Sequence, residues 1–412
     1  SINKVRMSTM FKNLILYALA SAALLFIILI RRIYLVRLHQ LPSSRIGLFA
    51  AHVELYCCEI DAGINVPDQK YIDLFYMEKD VCNEQLAIMW SREIIVTPYF
   101  FGLFLQKIEH LMSILEVRFT SLNVHFIGVT QGDRDVNNLL DASPNHLNFI
   151  QEEEDRGGNK LRSFGVTDNA KFVCLIVRDS AYLESRPYKG NWSYHNYRDT
   201  DIQTYVMAAE ELTKMGYFVF RMGAAVNKSI ETNNPRIIDY ATNGMRNDFM
   251  DIYLGAKCDF CISVGTGFDA IPSIFRRPIA YVNNTPLGYF TTWSNRFLLL
   301  SQHHYSTKDD NELSLKEIID RGATLCYSVE CYDEKNIKLI NNTPEEIRDQ
   351  VVEMAKRLEG TWIPDSIDKT LQESFWSVFP SDIIGENGQP LHGEVKSLFS
   401  ASFLRNNPKW VE

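Results

Sequence analysis

The sequence predicts an α/β protein with a mainly parallel sheet, preceded by one helix long enough to cross a membrane. From Lys171 onward, fully apolar segments alternate with segments in which apolar residues recur at helical spacing. Strands that are apolar along their whole length are typical of a parallel sheet covered by helices on both faces. The chain has 412 residues, which is enough for two domains with separate cores.

The segment Asn13–Ile30 is an uncharged apolar run that is just long enough to cross a bilayer as a helix. Arg31 and Arg32 follow it directly and no small-residue cleavage site is evident, so an anchor is favoured over a cleaved secretory signal or a buried helix of a soluble protein. The basic residues on the two sides are Lys4, Arg6 and Lys12 before the run, and Arg31, Arg32, Arg37 and Arg45 after it. The slight excess after the run predicts a single-pass anchor in the cytoplasmic membrane with the body of the protein in the cytoplasm.

Charge and cysteine content exclude some classes of protein and of site. The net charge of −9 argues against a general nucleic-acid binder, which needs a basic face for phosphate. Cys258 and Cys261 form a C-x-x-C pair, but Cys326 and Cys331 have four residues between them and do not supply the second pair of a zinc site. We therefore expect Cys258 and Cys261 to be buried small hydrophobic residues. Nothing in the sequence demands a disulfide, so a reducing compartment fits.

The first globular segment is predicted to be Arg45–Tyr56, a strand that carries His52 and Glu54 near its end. Either side chain could act as a general base there, and the alternatives are a structural histidine and a surface or ion-paired carboxylate. The polar stretch Gln131–Asn169 is predicted to be a surface connection, with the acidic run Glu152–Asp155 solvated.

The regular region beginning at Lys171 provides four strands and four helices. The strands are Phe172–Val177, Phe218–Phe220, Phe260–Ser263 and Ile279–Val282, and the helices are 201–215, 247–256, 315–321 and 343–358. Thr343 as N-cap, Pro344 at the first position and Glu346 three residues on form a helix start. No clear period follows Trp376, and His303 and His304 are expected on the surface.

The turn Ser263–Gly267 follows a strand and precedes a short helix predicted over Phe268–Phe275. Glycines allow a phosphate to approach the backbone, and the first turn of a helix offers free N–H donors. Arg178 and Arg221 lie at the ends of two other strands, where guanidinium groups suit phosphate. The alternatives are a plain tight turn and, for each arginine, a structural salt bridge to a nearby aspartate.

Two Asp-x-Asp triplets are present, Asp133–Asp135 and Asp199–Asp201, and in one type of sugar transferase such a pair holds a metal on a nucleotide diphosphate. The second triplet lies where a helix begins, so capping is favoured. The first lies in a polar loop. We predict no metal and no cofactor.

Several segments together resemble the membrane-associated glycosyltransferases found with bacterial surface-polysaccharide genes. They span roughly residues 45–355 and are Arg45–Gly47, Val177–Tyr182, Tyr194–Asp199, Arg221–Gly223, Arg246–Asp248, Ser263–Gly267 and Asn342–Ile347. More distantly, an arginine at a first strand end with a later Ser/Gly loop looks like the donor domain of GT-B fucosyltransferases. Leu48 departs from the pattern, because a histidine is common there after Arg-Ile-Gly.

The resemblance implies two Rossmann-like domains facing a cleft, a GT-B-like arrangement, in which the C-terminal domain holds the nucleotide diphosphate. The expected domains are an anchor and juxtamembrane segment (1–42), an acceptor-side domain (43–165), a donor domain (166–375) and a tail (376–412). The expected donor-binding residues are Arg178, Asp179, Arg221, Gly223, Ser263, Gly265, Thr266, Gly267 and Asp269, with Glu54 or His52 as the base.

The expected activity is transfer of a sugar from a nucleotide-sugar donor to a glycan or lipid-linked acceptor at the membrane, without nucleic acid. The departing diphosphate would be stabilised by the arginines and the loop, so no metal would be required. The alternatives are a nucleotide-sugar epimerase or hydrolase, and a non-catalytic nucleotide-binding scaffold of a polysaccharide assembly complex.

Overall fold

The computed structural model describes residues 2–116, 119–128, 132–178, 199–224, 226 and 228–412. The chain divides into two compact units. Unit 1 comprises Ser1–Asp133 and His146–Asn148, and unit 2 comprises Arg134–Asn145 and Phe149–Glu412.

Unit 1 is built on a small parallel sheet. Its elements are α1 (Ile2–Ile30), β1 (Leu35–Leu41), α2 (Ile46–Asp61), β2 (Tyr71–Met77), α3 (Glu84–Glu93), α4 (Tyr99–Glu116) and a 3₁₀ helix (Thr120–His125). β1 and β2 pair in parallel along their whole length, and single parallel bridges add Phe126 beside β1 and Val96 beside β2. The order across the sheet is therefore Phe126, β1, β2, Val96.

The predicted strand Arg45–Tyr56 is wrong, because Ile46–Asp61 forms the helix α2. The buried residues Phe49, Val53 and Cys57 recur every four positions, which is helical spacing. The first strand is instead β1, which the sequence analysis assigned to the juxtamembrane segment. A fragment beginning at residue 43 would therefore lack a strand of unit 1.

The N-terminal helix α1 contains one window, Asn13–Ile30, that is apolar and long enough to cross a membrane, with a mean hydropathy of 2.5. One face of α1 nevertheless packs on the rest of unit 1. Ala20, Leu24 and Ile27 are buried in a cluster with Leu38, Tyr76, Leu105, Ile108 and Met112. These partners belong to β1, β2 and α4.

Unit 2 contains the parallel sheet that the sequence predicts. Its helices are α5 (Leu139–Ala142), α6 (Gln151–Ser163), α7 (Val206–Lys214), α8 (Asp248–Lys257), α9 (Ala270–Ile274), α10 (Leu315–Asp320), α11 (Val329–Glu334), α12 (Pro344–Leu358), α13 (Asp368–Val378) and α14 (Ala401–Asn406). Its strands are β3 (Phe172–Ile176), β4 (Phe218–Met222), β5 (Ile237–Ile238), β6 (Phe260–Ser263), β7 (Ile279–Tyr281), β8 (Phe297–Leu299), β9 (His303–Ser306), β10 (Asn311–Glu312), β11 (Ile337–Ile340) and β12 (Leu398–Phe399).

Seven of these strands form one sheet in the order β12-β8-β7-β6-β3-β4-β5, and every neighbouring pair is parallel. From β3 the chain proceeds outward through β4 and β5, then returns to the other side of β3 and continues through β6, β7 and β8. This is the order of the doubly wound nucleotide-binding sheet, and the strand order reverses between β3 and β6. β9, β10 and β11 form a separate antiparallel sheet.

The polar stretch 131–169 is more structured than the sequence suggests. It contributes α6, whose first turn holds Glu152, Glu153 and Glu154, so the acidic run lies where the helix dipole favours it. Gly157 is required inside α6, since a Cβ there would lie 2.2 Å from Cζ of Tyr253. This packing explains why α6 belongs to unit 2, although the sequence places residues up to 165 in the first domain.

The segment after residue 376 also belongs to unit 2, because β12 pairs with β8 and α14 packs on α12 and α13. Cys258 and Cys261 are fully buried, as predicted. Cys326 and Cys331 form a disulfide that the sequence did not demand.

Candidate functional site

Three neighbouring strands of unit 2 end at the same level. Ile176 of β3 is paired with Met222 of β4 on one side and with Ser263 of β6 on the other. These partners are followed, within two residues, by Arg178, Gly223 and Gly265. The register therefore brings the predicted residues at these three strand ends to one edge of the sheet, at the reversal between β3 and β6.

The loop after β6 is held by its own side chains. The hydroxyl of Ser263 donates to Oδ2 of Asp269 at 2.9 Å and accepts from the Gly265 N–H at 3.0 Å, and the Thr266 N–H donates to the same Asp269 oxygen at 2.9 Å. Gly265 has φ +78°, which glycine adopts without cost. A 3₁₀ turn, Gly267–Asp269, leads into α9. The amides of Gly265 and Thr266 therefore have side-chain partners within the loop, which fits the alternative of a tight turn.

The two arginines differ in their surroundings. Arg178 is partly exposed, and its Nε lies 3.2 Å from Oδ1 of Asp199. Arg221 is 1% exposed; it donates to Asp239 at 3.1 Å and to the carbonyl of Lys228 at 2.9 Å. Both therefore form the salt bridges that were the alternative, and of the two side chains that of Arg178 is the more exposed, at 15% against 1%.

Asp179 lies outside the described residues, as do Ser180–Tyr182 and Tyr194–Arg198 of the segments that carry the resemblance. Gly223 has φ +150°, and a Cβ there would lie 2.6 Å from Cγ1 of Val226. Gly223 is thus required by the backbone whether or not a ligand binds.

A buried polar network beside this edge was missed by the sequence analysis. Asn283, directly after Val282, exchanges two hydrogen bonds with Asn342: its N–H donates to Oδ1 at 2.7 Å, and its Oδ1 accepts from the Asn342 N–H at 2.6 Å. The side-chain amide nitrogen of Asn283 donates to the Tyr205 hydroxyl at 2.9 Å. That hydroxyl lies 3.0 Å from Oγ1 of Thr200.

This network fixes the residue that follows Asp199, the partner of Arg178. Burial raises the pKa of Tyr205 to about 12, so its hydroxyl stays neutral. The available signal was the asparagine directly after an apolar strand together with the one directly before the N-cap Thr343.

In unit 1, His52 lies in the second turn of α2, close to the chain that follows the Phe126 bridge. Burial lowers its pKa, while the charge of Asp133 opposes this effect. A Cβ on Gly132 would lie 3.6 Å from Nε2 of His52. His39 in β1 is neutral, because burial and the nearby His52 lower its pKa to about 4.

Glu54 is fully buried and faces His146, which donates to its Oε1 at 3.1 Å from Nδ1. The other ring nitrogen of His146 donates to Asp61 at 3.0 Å. Hydrogen bonds to Cys58 and Glu54 raise the pKa of His146 to about 10, so the ring carries both protons. Glu54 is thus the buried partner of a histidine cation and is not open to an acceptor.

The same residues are a candidate metal site. Ligand atoms of Glu54, Cys58 and His146 lie within 4.8 Å of one another, and a carboxylate, a thiol and an imidazole are zinc ligands in kind. A doubly protonated His146 accounts for both of its carboxylate contacts without an ion.

The Asp-x-Asp triplets have structural roles among the described contacts. Asp135 is buried and accepts from the amides of Leu139 and Leu140 at 2.7 and 2.8 Å. Asp201 accepts from the Gln203 amide at 3.1 Å, which confirms capping. The first triplet lies in a loop as predicted, but this loop is not on the surface, since Arg134 is buried and donates to the carbonyls of Leu391 and Phe290.

Comparison with known proteins gives only distant likeness. No protein-family model and no curated protein match the chain. Its structure is similar to that of a family 9 glycosyltransferase from Veillonella parvula DSM 2008, at 12% identity and a TM-score of 0.44 over 79% of this chain and 96% of that one. It is also similar to ADP-heptose lps heptosyltransferase II of E. coli, at 12% identity and a TM-score of 0.39 over 78% and 99%. At these values the likeness carries no functional argument.

Proposed function

We propose that this chain is a glycosyltransferase that moves a sugar from a nucleotide-sugar donor to a glycan or lipid-linked acceptor in cell-surface polysaccharide synthesis. The supporting observation is the strand order of unit 2. The chain reverses direction across the sheet between β3 and β6, and ligands of such sheets bind beyond the strand ends at that point. Arg178 and the Ser263–Gly267 loop follow these two strands.

Arg178 is the residue on which the donor site depends. Its side chain is partly exposed and pairs with Asp199, and it could bind a diphosphate while that ion pair stays in place. Charge that develops on the departing diphosphate would be stabilised by this arginine. Gly265 and Gly267 would let the diphosphate approach the loop, while Ser263 and Asp269 hold the loop in shape. No metal is required by this arrangement.

On the acceptor side, Glu54 is buried, so we assign the role of base to His52. Burial keeps its ring neutral, as a base must be before it takes a proton, and the nearby Asp133 would stabilise the imidazolium that forms. α1 would attach the protein to the cytoplasmic membrane, where a lipid-linked acceptor is found.

The test uses the full-length chain in detergent with UDP, GDP, CDP and ADP and their sugar derivatives. We expect calorimetry to detect one diphosphate, and Arg178→Ala to weaken its binding while Arg348→Ala, at a partly exposed arginine paired with Asp349, does not. We also expect the protein to release nucleoside diphosphate from the matching nucleotide sugar faster when lipid extract is added.

Each alternative gives a different result. A hydrolase releases free sugar at the same rate without lipid extract, and an epimerase converts the sugar without releasing diphosphate. A scaffold binds nucleotide and turns over none. If no nucleotide binds, the donor site is wrong.

A further inference from the structure

The helix α1 contacts the rest of unit 1 at points spread along most of its apolar length. The Lys107 ammonium lies 5.2 Å from the centre of the Tyr17 ring, and the rings of Tyr17 and His110 lie 6.2 Å apart. Fourteen residues further on, Arg31 donates to the carbonyl of Ser121 at 3.2 Å. At 1.5 Å per residue the contact extends over about 21 Å, whereas the run Asn13–Ile30 is about 27 Å long.

This geometry is incompatible with a helix that crosses a bilayer at a steep angle while unit 1 stays in water. Tyr17 is close to the N-terminal end of the apolar run. If α1 spanned the bilayer, the residues that contact Tyr17 would therefore be carried toward the far side of the hydrocarbon layer. Those neighbours include Lys107 and His110 of α4. Tyr76 of β2, which is bonded to Glu109 of α4, would enter the hydrocarbon as well. Charged side chains and sheet strands do not enter lipid in this way.

The opposite face of α1 is apolar and exposed. Its large exposed side chains are Leu14, Ile15, Leu19, Leu25, Phe26 and Leu29. The first turn of the neighbouring α4 exposes Tyr99, Phe100, Phe101 and Leu103, and Phe100 is 86% exposed. Within the described side chains of α1, from Asn13 to Ile30, no residue is charged. Arg32 follows as an exposed cation suited to anionic headgroups.

We propose that α1 lies in the plane of the membrane, and that its outer face and the first turn of α4 dock unit 1 on an anionic lipid surface from one side. α1 is apolar on both faces, so with one face held on its own protein the exposed face still needs an apolar cover, which a membrane interface supplies. The proposal refines the membrane attachment proposed above and is independent of sugar transfer.

The first test locates the two ends of the full-length chain. A different epitope tag is placed at each terminus, and sealed inside-out membrane vesicles are treated with protease. An in-plane helix leaves both termini on the same side, so both tags are cleaved or both are protected. Protection of one tag alone means that α1 spans the bilayer, and the proposal fails.

The second test measures flotation with vesicles of phosphatidylethanolamine and phosphatidylglycerol. We expect Phe26→Glu and Phe100→Glu each to lower the partition coefficient about tenfold, the effect of exposing one large apolar side chain. Ile363→Glu is the control, because Ile363 is equally exposed at 86% but belongs to unit 2. If flotation is unchanged and Phe100→Glu instead converts a dimer to a monomer in sedimentation, the face binds a second copy and the lipid proposal is wrong. Neither readout involves a nucleotide, so failure here is distinguishable from failure of the proposed activity.

Discussion

Ile176 in β3 and Ser263 in β6 are register partners across the reversal of the unit 2 sheet. Arg178 and Gly265 each follow two residues later, so an arginine and a glycine turn leave the sheet side by side. These strands are remote in sequence, and only the return of the chain across β3 makes them neighbours. The donor site proposed here depends on this single pairing.

Arg178→Ala should weaken nucleoside-diphosphate binding by about 1.5–3 kcal/mol, the range for hydrogen bonds to a charged group. Arg178→Lys should recover part of the loss, since an ammonium keeps the charge without the planar fork. Calorimetry on folded protein measures both. Unchanged affinity in the alanine variant would leave Arg178 a structural role only.

Ser263→Ala should lower the free energy of unfolding by about 1–3 kcal/mol, because the Gly265 amide loses its acceptor and Asp269 loses a donor. Ser377→Ala is a matched control, since that hydroxyl is exposed and bonds only the Ser374 carbonyl among the described contacts. Gly265→Ala should cost about 1–2 kcal/mol through its left-handed φ.

These loop variants also separate a binding loop from a structural turn. If the loop holds the diphosphate, the fraction that remains folded should bind nucleotide more weakly. Lower melting temperatures with unchanged nucleotide affinity would show that the turn only connects β6 to α9.

Four strands of the parallel sheet could be predicted because they are almost entirely apolar, and each begins within two residues of a charged residue or a glycine. The cap at Thr343 was equally visible, since Pro344 and Glu346 have their roles within one turn. Local sequence decides both features, so tertiary contacts did not alter them.

Other features depend on contacts that local sequence does not show. Most residues of Arg45–Tyr56 are apolar, and a short apolar run suits a buried helix as well as a strand. Arg221 looked like a ligand at a strand end, but it points to the opposite face from Met222 and meets Asp239. Glu54 looked accessible because His146, which covers it, lies far away in sequence.

His146→Ala should destabilise the protein by about 2–4 kcal/mol, near the range for a broken buried ion pair, because Glu54 would stay buried without its cation. Asp61→Asn is the milder comparison, since Asp61 is half exposed, and about 1 kcal/mol or less is expected. Thermal melting checks both.

A chelator should leave the melting temperature of the parent unchanged. Stoichiometric zinc in the purified protein, with melting lowered by the chelator, would instead assign Glu54, Cys58 and His146 to a metal.

His303 and His304 are adjacent in β9, yet they should give the stability opposite dependences on pH. The expectation that they lie on the surface is wrong, because His304 is fully buried and burial lowers its pKa to about 4. Burial also lowers the pKa of His303, but hydrogen bonds to Glu312 and Glu346 outweigh it and raise the pKa to about 9.

A histidine with a lowered pKa stabilises the folded state fully above its unfolded value of about 6.5, and this contribution is lost as the pH falls toward 4. A histidine with a raised pKa stabilises the folded state fully below a pH of about 6.5, and this contribution is lost as the pH rises through 9. His304→Gln should therefore flatten the fall in stability between pH 6.5 and 4.5, by at most about 3 kcal/mol. His303→Gln should flatten the fall between pH 7 and 9. Denaturant unfolding of both variants and the parent across this range measures the two slopes, and equal slopes in all three proteins would refute the assignment of opposite charge states to these neighbours.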